Sequence, residues 1–219
     1  MLLFSSEECS WPLLGDHSAS VGLSNITCEG IRTPSFEVGN LRKIARTLEQ
    51  QKSMRTTFAV HHNEHVSSRP FKKVVSVFEA AVGSVEDIGF PALVASTESP
   101  EEFESLVKSH ESTSGFMRFL TVDHGTWLAR IGLNAKARMY TIGNPLIALT
   151  MLKHDIAAGL NVPVRLIIYE DALSRTTRLA YDLPSTLMKG LQNKDVTAAA
   201  KKLDAKLIAL AVHATGTEA

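Results

Sequence analysis

The sequence predicts an α+β domain, a mainly antiparallel β-sheet with helices packed on one face, and three observations carry that prediction. Segments that alternate with a period of two are interleaved with segments whose apolar residues recur at helical spacing. Two strand-like runs, VPVRLIIYED and RTTRLAYD, are separated only by ALS, a connection of hairpin length that makes its strands antiparallel neighbours. The chain then runs into DVTAAAKKLDAKLIALAVHA, rich in Ala, Leu and Lys, with Val196, Ala199, Leu203, Lys206, Leu207 and Leu210 spaced for one face of a long helix. Hairpins mixed with helices in one chain build a sheet that buries one face against those helices.

Taken in order, residues 1–53 carry Gly, Pro, Ser and Asn without a sustained apolar period, and they read as a poorly ordered N-terminal extension to a single α+β domain over residues 54–219. Within the extension, NLRKIARTLEQQ fits a short helix capped by Asn40, and Asn25-Ile26-Thr27 matches a glycosylation acceptor that lacks a secretion signal to give it meaning. From Met54, MRTTFAVHHNEHVSS sets Phe58, Val60, His62, Glu64 and Val66 against the intervening residues, the period of a strand. FKKVVSVFEAAVG follows as an amphipathic helix, with Pro70 suited to its first turn and Gly83 to its stop. SPEEFESLVKSHES is a second helix, with Ser99 as N-cap, Pro100 at the first position, and Glu101 and Glu102 at the positive end of its dipole. GFMRFLTVD and KARMYTIG are strands, and PLIALTMLKHD is a helix that is apolar nearly all round, so it is covered on several sides or lies in a subunit interface.

Composition removes several functional classes. Lys and Arg total 23 and Asp and Glu total 23, so no net field attracts a polyanion, and nucleic acid is not an expected partner. No apolar run reaches the roughly 20 residues of a membrane helix, and the opening MLLFSSEECSWPLLG is acidic where a secretory signal is basic; a cytoplasmic protein is expected, with no membrane partner. Cys9 and Cys28 are the only cysteines, which excludes a disulfide framework and a zinc spacing. His61 and His65 share a strand face but lie about 13 Å apart, too far to hold one ion, so no metal and no cofactor is expected. The sequence also lacks the glycine-rich phosphate loop, the GxSxG elbow and the HExxH zinc motif.

The motifs TVDHG at a strand end, GNP before an apolar helix, the strand VPVRLIIYED and the closing YDLPS, in that order and spacing, resemble a small bacterial and fungal family, the domain of unknown function 302. The likeness covers about Met54 to His213. It implies a fold like the TATA-binding-protein repeat, of β-α-β4-α type with an inserted helix, and a homodimer; it implies no established activity. FPALVASTESPEEFESLVKSHESTSG is an insertion relative to the shorter members.

The candidate site residues are His124, Asp123, Asn144, Tyr140 and Pro145. Asn144 suits an N-cap and Pro145 the first helical position, with Gly143 before them supplying a tight turn or a positive φ. His154 falls in the last turn of the helix they start, where it complements the dipole, and Asp155 ends it. Asp123-His124 sits where the chain leaves a strand, a common place for side chains that face a pocket, although Asp123 equally fits a cap for the following turn. If the strands FLTVD and ARMYTIG run parallel, His124 and Asn144 stand at one edge; if they run antiparallel, Arg138 replaces Asn144 beside His124. Three functional readings follow: a module that binds a partly apolar small molecule, an enzyme with His124 as general acid or base beside Asp123 or Asp182, and a dimerising structural protein.

Overall fold

The computed structural model describes residues 55–217, so the readings for residues 1–53, with Asn40, Asn25, Cys9 and Cys28, lie outside the described residues. The elements are β1 (His62–Ser67), α1 (Phe71–Ala81), β2 (Gly83–Ser84), α2 (Phe90–Ala95), α3 (Pro100–His110), β3 (Met117–Asp123), α4 (His124–Arg130), β4 (Ala137–Gly143), α5 (Pro145–Leu152), β5 (Val164–Glu170), β6 (Thr177–Asp182), α6 (Pro184–Leu187) and α7 (Lys194–Thr215). Short 3-10 turns span Ile156–Asn161 and Met188–Leu191. The six strands order as β1-β6-β5-β4-β3-β2, and every neighbouring pair is antiparallel except β2 with β3. This is the predicted α+β architecture, and the inserted segment contributes two helices, α2 and α3, where one was expected.

One face of the sheet buries Tyr140, Ile142, Leu166, Ile168, Leu179 and Tyr181. Against it pack Val74, Val75 and Phe78 of α1 and Val196, Ala200, Leu203, Leu207 and Leu210 of α7. Each of these sets repeats at the period of its own element, two along the strands and three to four along the helices, so the two patterns meet in one core. Lys206, counted on the inner stripe of α7 from spacing alone, is exposed, and the buried stripe runs instead through Ala211 and Ala214.

Local boundaries moved where a tertiary contact overrode the pattern. The strand expected from Met54 pairs only from His62, and its inward face is Asn63, His65 and Ser67, while Val66 is exposed. Ser67 is buried because its hydroxyl donates to the carbonyl of Thr215, and the Arg69 guanidinium donates to the carbonyls of His213 and Ala214. These bonds occupy carbonyls that the C-terminus of α7 leaves without an intrahelical partner. Gly83 is no helix stop: it lies in β2, where a Cβ would come within 2.1 Å of the His110 carbonyl oxygen, so only glycine lets the two backbones approach. Helix α5 ends at Leu152, so His154 lies beyond it, and Asp155 instead caps the following 3-10 turn through Ala157 N.

Candidate functional site

Antiparallel pairing decides between the two geometries left open by the sequence. Asp123 is registered with Arg138 and Met117 with Gly143, so β3 and β4 have their C-terminal ends at opposite ends of the pair. His124 and Asn144 are therefore separated by the length of a seven-residue strand, roughly 20 Å. The shared cleft of His124, Asn144 and Tyr140 does not form, and the two ends have to be considered separately.

At the first end the ionisable groups bind one another. Asp123 caps α4, with Oδ1 accepting from Thr126 N at 3.0 Å and Oδ2 accepting from Arg138 Nε at 3.0 Å. Burial acts to raise its pKa, but the bonds from Thr126 and Arg138 outweigh it and hold the carboxyl below its ordinary value. Tyr140 is fully buried and donates its hydroxyl to Glu79 Oε1 at 2.8 Å; burial first, and then that bond to a carboxylate, push the phenol well above its ordinary pKa. Glu79 also meets Arg138 Nη1 at 3.3 Å and Arg118 Nη1 at 3.4 Å. Arg118 Nε sits 2.8 Å from Glu86 Oε2, close enough for charge pairing but outside hydrogen-bonding geometry. His124 is half-buried, its Nδ1 accepting from Trp127 Nε1 at 3.1 Å. Asp182, the other carboxylate considered for it, is 2.8 Å from His62 Nδ1 on the far side of the sheet. Tyr140 is thus a core residue rather than a cleft residue, and Asp123 and His124 act locally.

The other end of β4 is built differently. Asn144 is 6% exposed, caps α5 by accepting from Leu146 N at 2.8 Å, and donates its amide to Glu111 Oε2 at 2.6 Å and to the Gly115 carbonyl at 2.9 Å. Pro145 occupies the first helical position, where its missing N–H has no partner to lose. Gly143 has an ordinary φ; what it supplies is room, since a Cβ would lie 3.1 Å from Pro163 Cβ and 3.3 Å from Phe119 Cε2. Those two side chains and α5 enclose a cleft of about 360 Å³, lined on the helix side by Ile147, Ala148, Leu149 and Leu152 and opposite by Phe103 and Val162. This explains a helix that is apolar all round: Met151 is buried in the core with Ile147 and Leu152 packed against it, while Ala148 and Leu149 border the cleft, where Leu149 is 53% exposed.

Of the five residues singled out in the sequence, the cleft brings together Asn144 and Pro145. Phe119 was missed because it sits at the irregularity between Arg118 and Leu120, and a bulge that re-aims a side chain leaves no mark in a plain alternation. Leu203, which reaches the cleft from α7, was legible only as core.

Two further polar features of the sequence have partners nearby. His65 stacks on Tyr181, and Glu170 is paired with Lys136 at 2.8 Å and Arg175 at 3.3 Å at the hairpin end. Among the described residues no group of three or more His, Cys, Asp or Glu is placed to hold a metal ion, and no helix is long and apolar enough to cross a membrane.

Comparison with known proteins adds a family and a fold. No protein with a curated description matches the chain. The crystal structure of an uncharacterized conserved protein DUF302 from Bacillus stearothermophilus is similar, with a TM-score of 0.50 and 16% sequence identity, covering 71% of this chain and 99% of that one. At that identity the likeness speaks for the fold alone. The family model described as domain of unknown function DUF302 matches residues 93–213, which are 121 of the 219 residues. On that match, the chain belongs to the DUF302 family.

Proposed function

We propose that this domain binds a small apolar molecule in the cleft between α5 and the β3–β5 strand ends. One observation carries the reading: the cleft of about 360 Å³ falls within the range of ligand pockets, roughly 300–1,000 Å³, and its one polar side chain, Asn144, already spends its amide on Leu146, Glu111 and Gly115. A lining of that kind rewards apolar surface and offers a polar ligand no free polar side chain. The enzyme reading has less support, since His124 does not line the cleft and its ring is engaged by Trp127. The feature that suggested a dimerising protein, the apolar α5, is accounted for by the core on one side and the cleft on the other.

The test is a fluorescence titration with the neutral probe N-phenyl-1-naphthylamine, together with an Ala148→Phe variant that fills the cleft from α5. Saturable enhancement in the parent protein and its loss in Ala148→Phe, with the far-UV spectrum unchanged, is the expected result. Absence of saturable binding, or equal binding by the filled variant, overturns the proposal.

A further inference from the structure

Beside the apolar cleft lies a second cavity of about 320 Å³, and the two share Asn144, Ile147 and Leu203 as lining. Its other walls add charge to an otherwise apolar lining that includes Leu146 and Ala199. Lys108 of α3 and Lys202 and Lys206 of α7 line it together with Glu111, so three ammonium groups face one carboxylate. Lys108 is tied to Glu104 at 2.5 Å, and one Glu111 oxygen accepts from Asn144. The ion pairs among the described residues leave Lys202 and Lys206 unused. These two are one turn apart on α7, a spacing at which like charges repel unless an anion lies between them. Lys206 Nζ lies 5.9 Å from the centre of the Phe116 ring, a cation–π contact, and the same side chain also borders a neighbouring cavity lined by Thr113, Ser114 and His213.

We propose that the ligand of the apolar cleft is an anionic amphiphile, an alkyl chain with a carboxylate head, whose chain occupies the apolar cleft and whose head is bound by Lys202 and Lys206 across the shared wall of Ile147 and Leu203. This rests on the apolar-ligand reading and adds the charge of the ligand to it. Neither cavity alone specifies such a molecule. An apolar cleft takes a neutral hydrocarbon as well, and two exposed lysines hold a free anion weakly, because in water their attraction is screened within about 10 Å at 0.1 M salt. Joined, the lysines select among apolar ligands by the sign of the head group.

The experiment displaces bound N-phenyl-1-naphthylamine with decanoate or with 1-decanol, in the parent protein and in Lys202→Gln/Lys206→Gln. Decanoate is expected to compete about tenfold more strongly than the alcohol, as a charge-assisted contact provides, and to lose that advantage in the double variant and in 1 M salt. Both variant sites are exposed on α7, so the fold is expected to be kept, which the far-UV spectrum and melting temperature check. Equal competition by acid and alcohol, or an advantage that survives the double substitution, overturns the anionic head and leaves the apolar cleft standing. If the probe itself does not bind, the apolar reading fails and this inference falls with it.

Discussion

The two ends of the β3–β4 pair carry residues that look equally functional in sequence and differ in what the fold does with them. At the Asp123 end, Asp123, Arg138, Glu79, Arg118 and Tyr140 pair with one another, and the two carboxylates and two guanidinium groups match in charge, so these ionisable groups are largely committed to each other. At the Asn144 end, a single buried amide ties α5 to Glu111 at the C-cap of α3 and to Gly115, two residues before β3, and α5 borders a cleft beside β4 and β5. On the proposed reading, the end richer in ionisable groups is the structural one. Reactive residue types are a weak guide until their partners are known.

The largest expected effect strikes the ionic end. Glu79→Ala leaves the buried Tyr140 hydroxyl without its acceptor and two guanidinium groups without their shared carboxylate. Loss of hydrogen bonds to a charged group costs about 1.5–3 kcal/mol. For a domain of this size each kcal/mol lowers the melting temperature by roughly 2–4 °C. Glu79→Gln, which keeps an acceptor for Tyr140, should recover part of the loss. Binding in the distant cleft should be unchanged in both variants, and a calorimetric melt beside the probe titration checks both points; lost binding would mean the two ends are coupled.

Asn144 gives the next effect, at the other end. Viewed only as a cap, Asn144→Asp is harmless, because aspartate caps as well as asparagine. The structure reverses that expectation, since the new carboxylate would face Glu111 Oε2 and the Gly115 carbonyl where the amide donated. Asn144→Asp should therefore cost about 1–3 kcal/mol, at least as much as Asn144→Ala. A thermal melt that finds Asn144→Asp as stable as the parent would show that the cap alone matters.

Much of this was legible in the sequence, for a physical reason. Ser99 and Asn144 were identifiable as caps because capping is decided within three residues, and the β5–β6 hairpin because its connection is short. What depended on register was not legible. Whether His124 meets Asn144 or Arg138 approaches Asp123 depends on how β3 and β4 pair, and a strand carries no local signal of its partner's direction. Which alternating set of β1 faces inward was not legible for a related reason: Ser67 is held inward by its bond to the carbonyl of Thr215, a residue far along the chain. The apolar character of PLIALTML was visible, but the same pattern fits a core helix, an interface helix and a helix that lines a cleft.

A smaller effect sharpens the ionic end by pH. The carboxyl of Asp123 has its pKa lowered in the folded protein, so it contributes stability that is present above the unfolded value, about 3.9, and is lost as pH falls through the lower folded value. Asp123→Asn removes that contribution. The difference in melting temperature between parent and variant should be constant near neutral pH and should shrink as the pH is taken below about 4. Glu64, Glu170 and Asp171 are also held below their ordinary values, so acid destabilises both proteins, and only the difference reports on Asp123. A pH-independent difference would leave Asp123 as a helix cap with no electrostatic part.

The smallest expected effect belongs to the residue that drew most notice in the sequence. His124 opens α4 half-buried, and its one side-chain hydrogen bond among the described residues is with the indole N–H of Trp127, itself 51% exposed. A hydrogen bond between two groups that water can reach adds little, because water replaces either partner, and surface substitutions of this kind stay within about 0.5 kcal/mol. His124→Ala should thus leave the melting temperature within the error of the measurement. It should also leave probe binding unaltered, because the cleft lies at the opposite end of the β3–β4 pair. Should His124→Ala abolish a binding or turnover that Ala148→Phe leaves intact, the comparison between the two ends would be inverted. The surface around His124 and Trp127 would then be the functional one, and the cleft a packing defect beside α5.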